Sequence, residues 1–120
     1  MSIDRLIFRK PIASYNEKSI EEQENGTACI QWIPHNSNIS GSKSSSNSSS
    51  TSKFPALVMN YIDNQGQSND SYLLYFHGNA EDLGMTRAFL RGLRSSLCVN
   101  ILAIEYPGYG IYSGKKMCAR

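Results

Sequence analysis

Cysteine is scarce and unpaired in this 120-residue chain: Cys29, Cys98 and Cys118 are odd in number, and no C-x-x-C pair occurs. That excludes a disulfide framework and a cysteine-based zinc site. An excess of one charge is also missing, with 12 Lys+Arg against 10 Asp+Glu and a net charge of +2. Without a basic cluster to replace phosphate counterions, a nucleic-acid partner is not expected. No apolar run approaches the roughly 18 residues that span a bilayer, so no transmembrane segment is expected. The N-terminal MSIDRLIFRKPIAS places Asp4, Arg5, Arg9 and Lys10 where a signal peptide needs an uninterrupted apolar stretch. A soluble, reducing, cytoplasmic setting follows as the expectation, leaving room for peripheral membrane association in a longer form. The glycosylation patterns at Asn25, Asn38, Asn47 and Asn69 are then chance matches in an Asn- and Ser-rich chain.

What is present falls into three pieces. From Leu6 to Pro34 the text is strand-like: Leu6-Ile-Phe, a polar stretch, then Thr27-Ala-Cys-Ile-Gln-Trp-Ile-Pro. In the second run Ala28, Ile30 and Trp32 share one face, and Thr27, Cys29, Gln31 and Ile33 the other. Asn25-Gly26 signals a tight turn and an antiparallel hairpin entry, and Pro34, lacking an amide donor, suits a strand end. The second piece, Asn36 to Lys53, holds ten serines in 18 residues and one apolar residue, Ile39. It cannot repay the entropy of ordering and reads as a disordered, low-complexity surface loop, a spacer rather than a phosphorylated tract.

The third piece, Phe54 to Gly114, carries more. Phe54 to Ile62 is a strand candidate, and the polar Asp63–Ser71 follows as a loop. Tyr72-Leu-Leu-Tyr-Phe is a continuous apolar run, the pattern of a strand buried on both faces. From about Asp82 to Leu97, Leu83, Thr86, Leu90, Leu93 and Leu97 recur at helical spacing. Phe89 widens that stripe, and Arg87, Arg91 and Arg94 lie off it. Val99 to Ile104 is another buried-type strand, ending at Glu105 and a Pro-Gly turn. Strand, helix and strand at this spacing predict a βαβ unit with parallel strands and a right-handed crossover.

Ligands meet an open parallel sheet at the carboxyl ends of its strands. Two loops stand there: His77-Gly78-Asn79-Ala80-Glu81-Asp82 and Glu105-Tyr106-Pro107-Gly108-Tyr109-Gly110. A glycine at 78 lets backbone run close to a bound group, and the amides after it point toward the helix start, where an oxyanion is welcome. Taken alone, Gly78 is no more than the residue that makes the strand-to-helix turn.

Leu74-Tyr-Phe-His-Gly-Asn-Ala-Glu-Asp-Leu-Gly84, a helix, and then Ile104-Glu-Tyr-Pro-Gly-Tyr-Gly110 with Ser113-Gly114 resemble the front half of an alpha/beta hydrolase. The likeness is to the small intracellular serine hydrolases that include protein depalmitoylases, and it covers about Tyr72 to Gly114. It implies an α/β fold: the N-terminal half of an alpha/beta-hydrolase sheet, with antiparallel entry strands and then one βαβ unit. Residues 1–120 would form a partial domain with the loop 36–53 inside it. The resemblance makes the Asn79 amide one of two oxyanion-hole donors. It makes His77 structural rather than the catalytic base, and sets Tyr106, Pro107, Gly108, Tyr109 and Gly110 beside the active site. It also implies an acyl ester or thioester as the substrate of a longer form.

The family's nucleophile sits in G-x-S-x-G, followed in the chain by the acid and the His. That pattern is absent from these 120 residues; in Gly110-Ile-Tyr-Ser113-Gly114 the glycines stand at the wrong offsets. No member of the triad is therefore expected, and the chain as given should be inactive. A nucleotide site with Glu105 on a ribose would need G-x-G-x-x-G, where only Gly78 and Gly84 occur. His77, Glu81 and Asp82 suggest a metal less well than acids stabilised by a helix dipole, so no cofactor or metal is assigned. Cys118 lacks a C-a-a-X ending. The terminal Lys115–Arg120 shows no helix pattern and reads as a chain that stops short. The alternative function is a non-catalytic interaction module. It would bind a partner chain, or a second copy, through an open sheet edge expected beside Ile101–Ile104.

Overall fold

The computed structural model describes residues 12–35 and 52–112. The expected strand at Leu6-Ile-Phe, Ser113, Cys118 and all but the last two residues of the serine-rich tract lie outside the described residues. The element order is α1 (Glu17–Gln23), β1 (Ala28–His35), β2 (Ser52–Met59), β3 (Tyr72–Phe76), α2 (Leu83–Leu97) and β4 (Asn100–Ile104).

Helix α1 occupies what reads in the sequence as a polar stretch. Its seven residues bury one side chain, Ile20, too little for a periodic stripe. It is set instead by a reciprocal cap. The Asn16 side chain accepts from the Ser19 amide, and the Ser19 hydroxyl accepts from the Asn16 amide, each at 2.9 Å. Asn25-Gly26 is a turn, with φ of 52° and 76°, but it joins helix to strand rather than two strands. The hairpin expected there is formed by β1 and β2, from Ala28↔Met59 out to His35↔Ser52. Ser52 and Lys53, placed in the serine loop by composition, begin β2.

Helix α2 matches its periodicity. Asp82 caps it, accepting from the Met85 amide at 2.9 Å, and Cys98 ends it in the left-handed conformation at φ 54°. Leu83, Thr86 and Leu90 are buried. Phe89 and Leu97, assigned to the same stripe, are more than half exposed, because Phe89 lies at the margin of the stripe and Leu97 is the last residue of the helix.

The sheet order is β1-β2-β4-β3. β3 and β4 are parallel, Phe76 opposite Ile104, and β4 also pairs antiparallel with β2. This corrects the expected open edge: β4 is internal, and among the described residues the edges are β1 and β3. Side chains alternate across a strand, so the register sorts them into two faces. Ala28, Ile30, Leu57, Met59, Leu73, Tyr75, Ile101 and Ala103 meet Ile20, Leu83, Leu90 and Tyr15 in one core. On the other face Val58, Leu102 and Leu74 stand in one row, and Ala56, Ile104 and Phe76 in the next. β3 is therefore not buried on both faces: Tyr72, Leu74 and Phe76 are 59, 51 and 58% exposed.

Candidate functional site

The site grows out of the parallel register. Phe76 and Ile104 are partners, so the next residue of each strand, His77 and Glu105, stand side by side. Both follow the parity of Tyr75 and Ala103 and turn into the core, where their side chains are fully buried. His77 Nε2 lies 2.6 Å from Glu105 Oε1, and His77 Nδ1 lies 2.8 Å from the carbonyl oxygen of Gly78.

Glu105 collects three further donors. The Tyr15 hydroxyl donates to Oε2 at 2.7 Å and the Leu83 amide donates to it at 3.1 Å. The Tyr106 amide donates to Oε1 at 3.3 Å. Leu83 is the first residue of α2, so the carboxylate also meets the positive end of that helix. One acid thus ties together the segment before α1, the start of α2 and the loops after β3 and β4. Burial pushes the Tyr15 hydroxyl well above its ordinary pKa, and the hydrogen bond to Glu105 adds to that. For His77 burial alone would lower the pKa; the hydrogen bonds to Glu105 and to the Gly78 carbonyl outweigh it and hold the pKa above the usual imidazole value.

The second loop closes over this pair. The Tyr106 hydroxyl donates to the His77 carbonyl at 2.6 Å, and its ring lies 4.0 Å from the imidazole centroid. Tyr109 meets the imidazole edge-on at 5.4 Å. Gly108 and Gly110, flanking Tyr109, take φ of 84° and 50°; Pro107 lies between them and Tyr106. The motif residues expected from the sequence, His77, Gly78, Tyr106, Pro107, Gly108, Tyr109 and Gly110, are therefore gathered in one place.

Asn79 sits on the exposed turn that follows. The Gly78 carbonyl points at the His77 ring and also accepts from the Glu81 amide at 3.2 Å. Because no peptide bond here is cis, the Asn79 N–H points the opposite way, away from the His77 ring. Among the described residues the Asn79 amide has no acceptor. Gly78 has room for a side chain, its nearest neighbour being the flexible Glu81 carboxylate at 3.4 Å. Nothing inside the described residues demands a glycine there.

The residues weighed as metal ligands are otherwise engaged. Glu81 accepts from the Gly78 amide at 3.0 Å. Asp82 accepts from the Ser14 amide at 2.7 Å and the Ser14 hydroxyl at 2.5 Å besides capping α2. Both nitrogens of His77 are occupied, so the ring is not free to take a proton from a nucleophile. Sequence reasoning missed Ser14 and Tyr15, which have no motif. It weighed Glu105 only as a ribose ligand; the register that sets Phe76 opposite Ile104 is what places it beside His77.

A parallel strand pair with a helical crossover, loops meeting at its carboxyl end and antiparallel entry strands are compatible with part of an alpha/beta hydrolase, and sequence comparison supports that partial relationship. The chain is 51% identical over 43 residues to mouse (Mus musculus) alpha/beta hydrolase domain-containing protein 17C, covering 36% of this chain and 13% of that one. Human (Homo sapiens) alpha/beta hydrolase domain-containing protein 17B is 51% identical over 43 residues, 36% of this chain and 15% of the relative. Caenorhabditis elegans alpha/beta hydrolase domain-containing protein aho-3 is 49% identical over the same length, 36% and 13% of the two chains. The match thus spans only about one-seventh of these curated relatives. No family model matches the chain, and no solved structure does. No helix among the described residues is long and apolar enough to cross a membrane.

Proposed function

We propose that this chain supplies the oxyanion side of a serine ester or thioester hydrolase and is inactive by itself. The observation that carries this reading is the Asn79 N–H, on an exposed turn, without an acceptor among the described residues and turned away from the His77 ring by a pinned peptide. A preorganised donor of this kind stabilises the charge that develops on an acyl oxygen in the transition state. The space around Gly78 supports the same reading, since a ligand could approach the backbone there. The nucleophile, acid and base would come from sequence carrying G-x-S-x-G, which these 120 residues lack. A reducing cytoplasmic setting suits the free thiols of Cys29 and Cys98.

The test is a chimera. The β3-α2-β4 unit with its two loops replaces the matching segment of human alpha/beta hydrolase domain-containing protein 17B, and hydrolysis of a p-nitrophenyl ester and of an acyl thioester is followed. The chimera should turn over both, and Asn79→Pro, which removes the amide proton, should cut kcat by about 100-fold. A folded chimera indifferent to Asn79→Pro refutes the assignment. The pure chain should show neither turnover nor fluorophosphonate labelling.

A second reading is favoured by the exposed apolar side chains of β3. Tyr72, Leu74 and Phe76 line an edge strand, and an edge of this kind can add a strand from a partner chain.

A further inference from the structure

We propose that Glu105 is a positioning residue for this site: it holds His77 in the doubly protonated form, and His77 in turn pins the Gly78–Asn79 peptide so that the amide N–H faces away from the ring.

The argument begins with counting donors and acceptors. A carbonyl oxygen only accepts, so the 2.8 Å contact with Gly78 requires a proton on Nδ1. Nε2 faces Glu105 at 2.6 Å, and this pair holds one proton between them. The Leu83 and Tyr106 amides and the Tyr15 hydroxyl all donate into the same carboxyl group, so both of its oxygens already serve as acceptors. The shared proton therefore sits on the imidazole, and His77 is an imidazolium donating from both nitrogens. Loss of that proton would set a lone pair of Nε2 against the carboxylate. The ring would turn or withdraw, and the Gly78 carbonyl would lose its partner.

The titratable groups facing the pair come from every neighbouring element. They are Tyr15 before α1, Glu81 and Asp82 in the turn before α2, and Tyr106 and Tyr109 after β4. None of these is a cation, so among the described residues His77 has no competitor for Glu105. The geometric claim concerns this chain alone; its meaning for catalysis rests on the oxyanion reading above.

The two are separable by experiment. On the 15N-labelled chain, long-range proton–nitrogen spectra report the His77 ring, and 15N relaxation reports the Asn79 N–H. At pH 7, above the ordinary imidazole value of about 6.5, His77 should show the imidazolium pattern and Asn79 an order parameter near about 0.85. Raising the pH should deprotonate His77 and loosen Asn79 toward about 0.6 with one midpoint, while Ile101 and Ala103 of β4 stay rigid. Glu105→Gln should show neutral His77 and a loose Asn79 already at pH 7; if it does not fold, the wild-type titration still decides. A neutral ring at pH 7, or an Asn79 that stays rigid after His77 deprotonates, overturns the proposal. Neither result depends on ester hydrolysis, so failure of the chimera would leave this measurement standing.

Discussion

Gly110 stands where the backbone turns into the left-handed region, at φ 50°. A β-carbon there would lie 2.5 Å from Glu105 Oε2 and 2.7 Å from Tyr15 Cε1. Gly110→Ala thus combines a strained conformation with overpacking against a buried carboxylate, and it should cost about 2–4 kcal/mol in denaturant unfolding. Gly78→Ala, with positive φ absent and 3.4 Å of clearance, should cost less than about 1 kcal/mol. His77 has its own pH signature. Its pKa is raised in the folded chain, so folding binds the proton more tightly than the unfolded chain does. The stability this gives is fully present below the unfolded value of about 6.5 and is lost as pH rises through the folded value. The melting temperature should therefore fall with rising pH above that range, and His77→Gln should flatten the fall. Two glycines of similar appearance in the sequence thus differ in consequence: what separates them is the buried Glu105–Tyr15 contact, which joins residues 90 apart and leaves no local trace.

Between elements, the decisive contact is a clamp of one acid and two bases. Glu24, just past α1, has a side chain only 2% exposed. It accepts from Arg87 at 2.5 Å and from both Nε and Nη2 of Arg91, the latter at 2.8 Å. Arg87 and Arg91 lie off the apolar stripe of α2, where the periodicity places solvent; they serve instead to dock α1. Burial alone would raise the Glu24 pKa, but the hydrogen bonds from Arg91 and Arg87 outweigh it and hold it below the usual carboxylate range. Stability from this clamp is accordingly present above the ordinary Glu value of about 4.3 and is lost as pH falls through the depressed one. Glu24→Gln should destabilise the chain by about 1–3 kcal/mol at pH 7, discounted because Arg91 is partly exposed. The difference from wild type should shrink in acid, as urea unfolding at pH 7 and pH 3 would reveal. The elements themselves were unequally legible. α2 could be read because Leu83, Thr86 and Leu90 repeat at helical spacing and Asp82 caps them. α1 could not, because a single buried Ile20 makes no period and its cap pairs Asn16 with Ser19 rather than a Ser or Thr with a Glu or Gln three residues on. Of the site, the two loops were legible as motifs, while the Glu105 hub required knowing that β3 and β4 end in register.

At the scale of the whole molecule, strand order decides which surface is open. Sequence adjacency suggested that the last strand, β4, would be the edge. Strand β2 instead pairs with its free side, because Ala56–Met59 is apolar on both faces and buried only in an interior position. The edge passes to β3, whose five residues are all apolar or aromatic. Only the face carrying Leu73 and Tyr75 joins the helix-packed core. The opposite face presents Leu74 and Phe76, each more than half exposed, next to backbone donors and acceptors that no strand among the described residues pairs. Exposed apolar surface beside a free strand edge favours association. The isolated chain should therefore elute from a sizing column with an apparent mass that rises with concentration. Replacing Leu74 and Phe76 together by Thr keeps β-propensity while removing apolar area. The double variant should lose the concentration dependence and bind less of a hydrophobic dye, with stability changed by no more than about 1 kcal/mol, since neither side chain is buried in the core. If the wild-type chain stays monomeric across the same range, the open face of β3 is not a self-association surface, and the second functional reading loses a second copy of the chain as its partner.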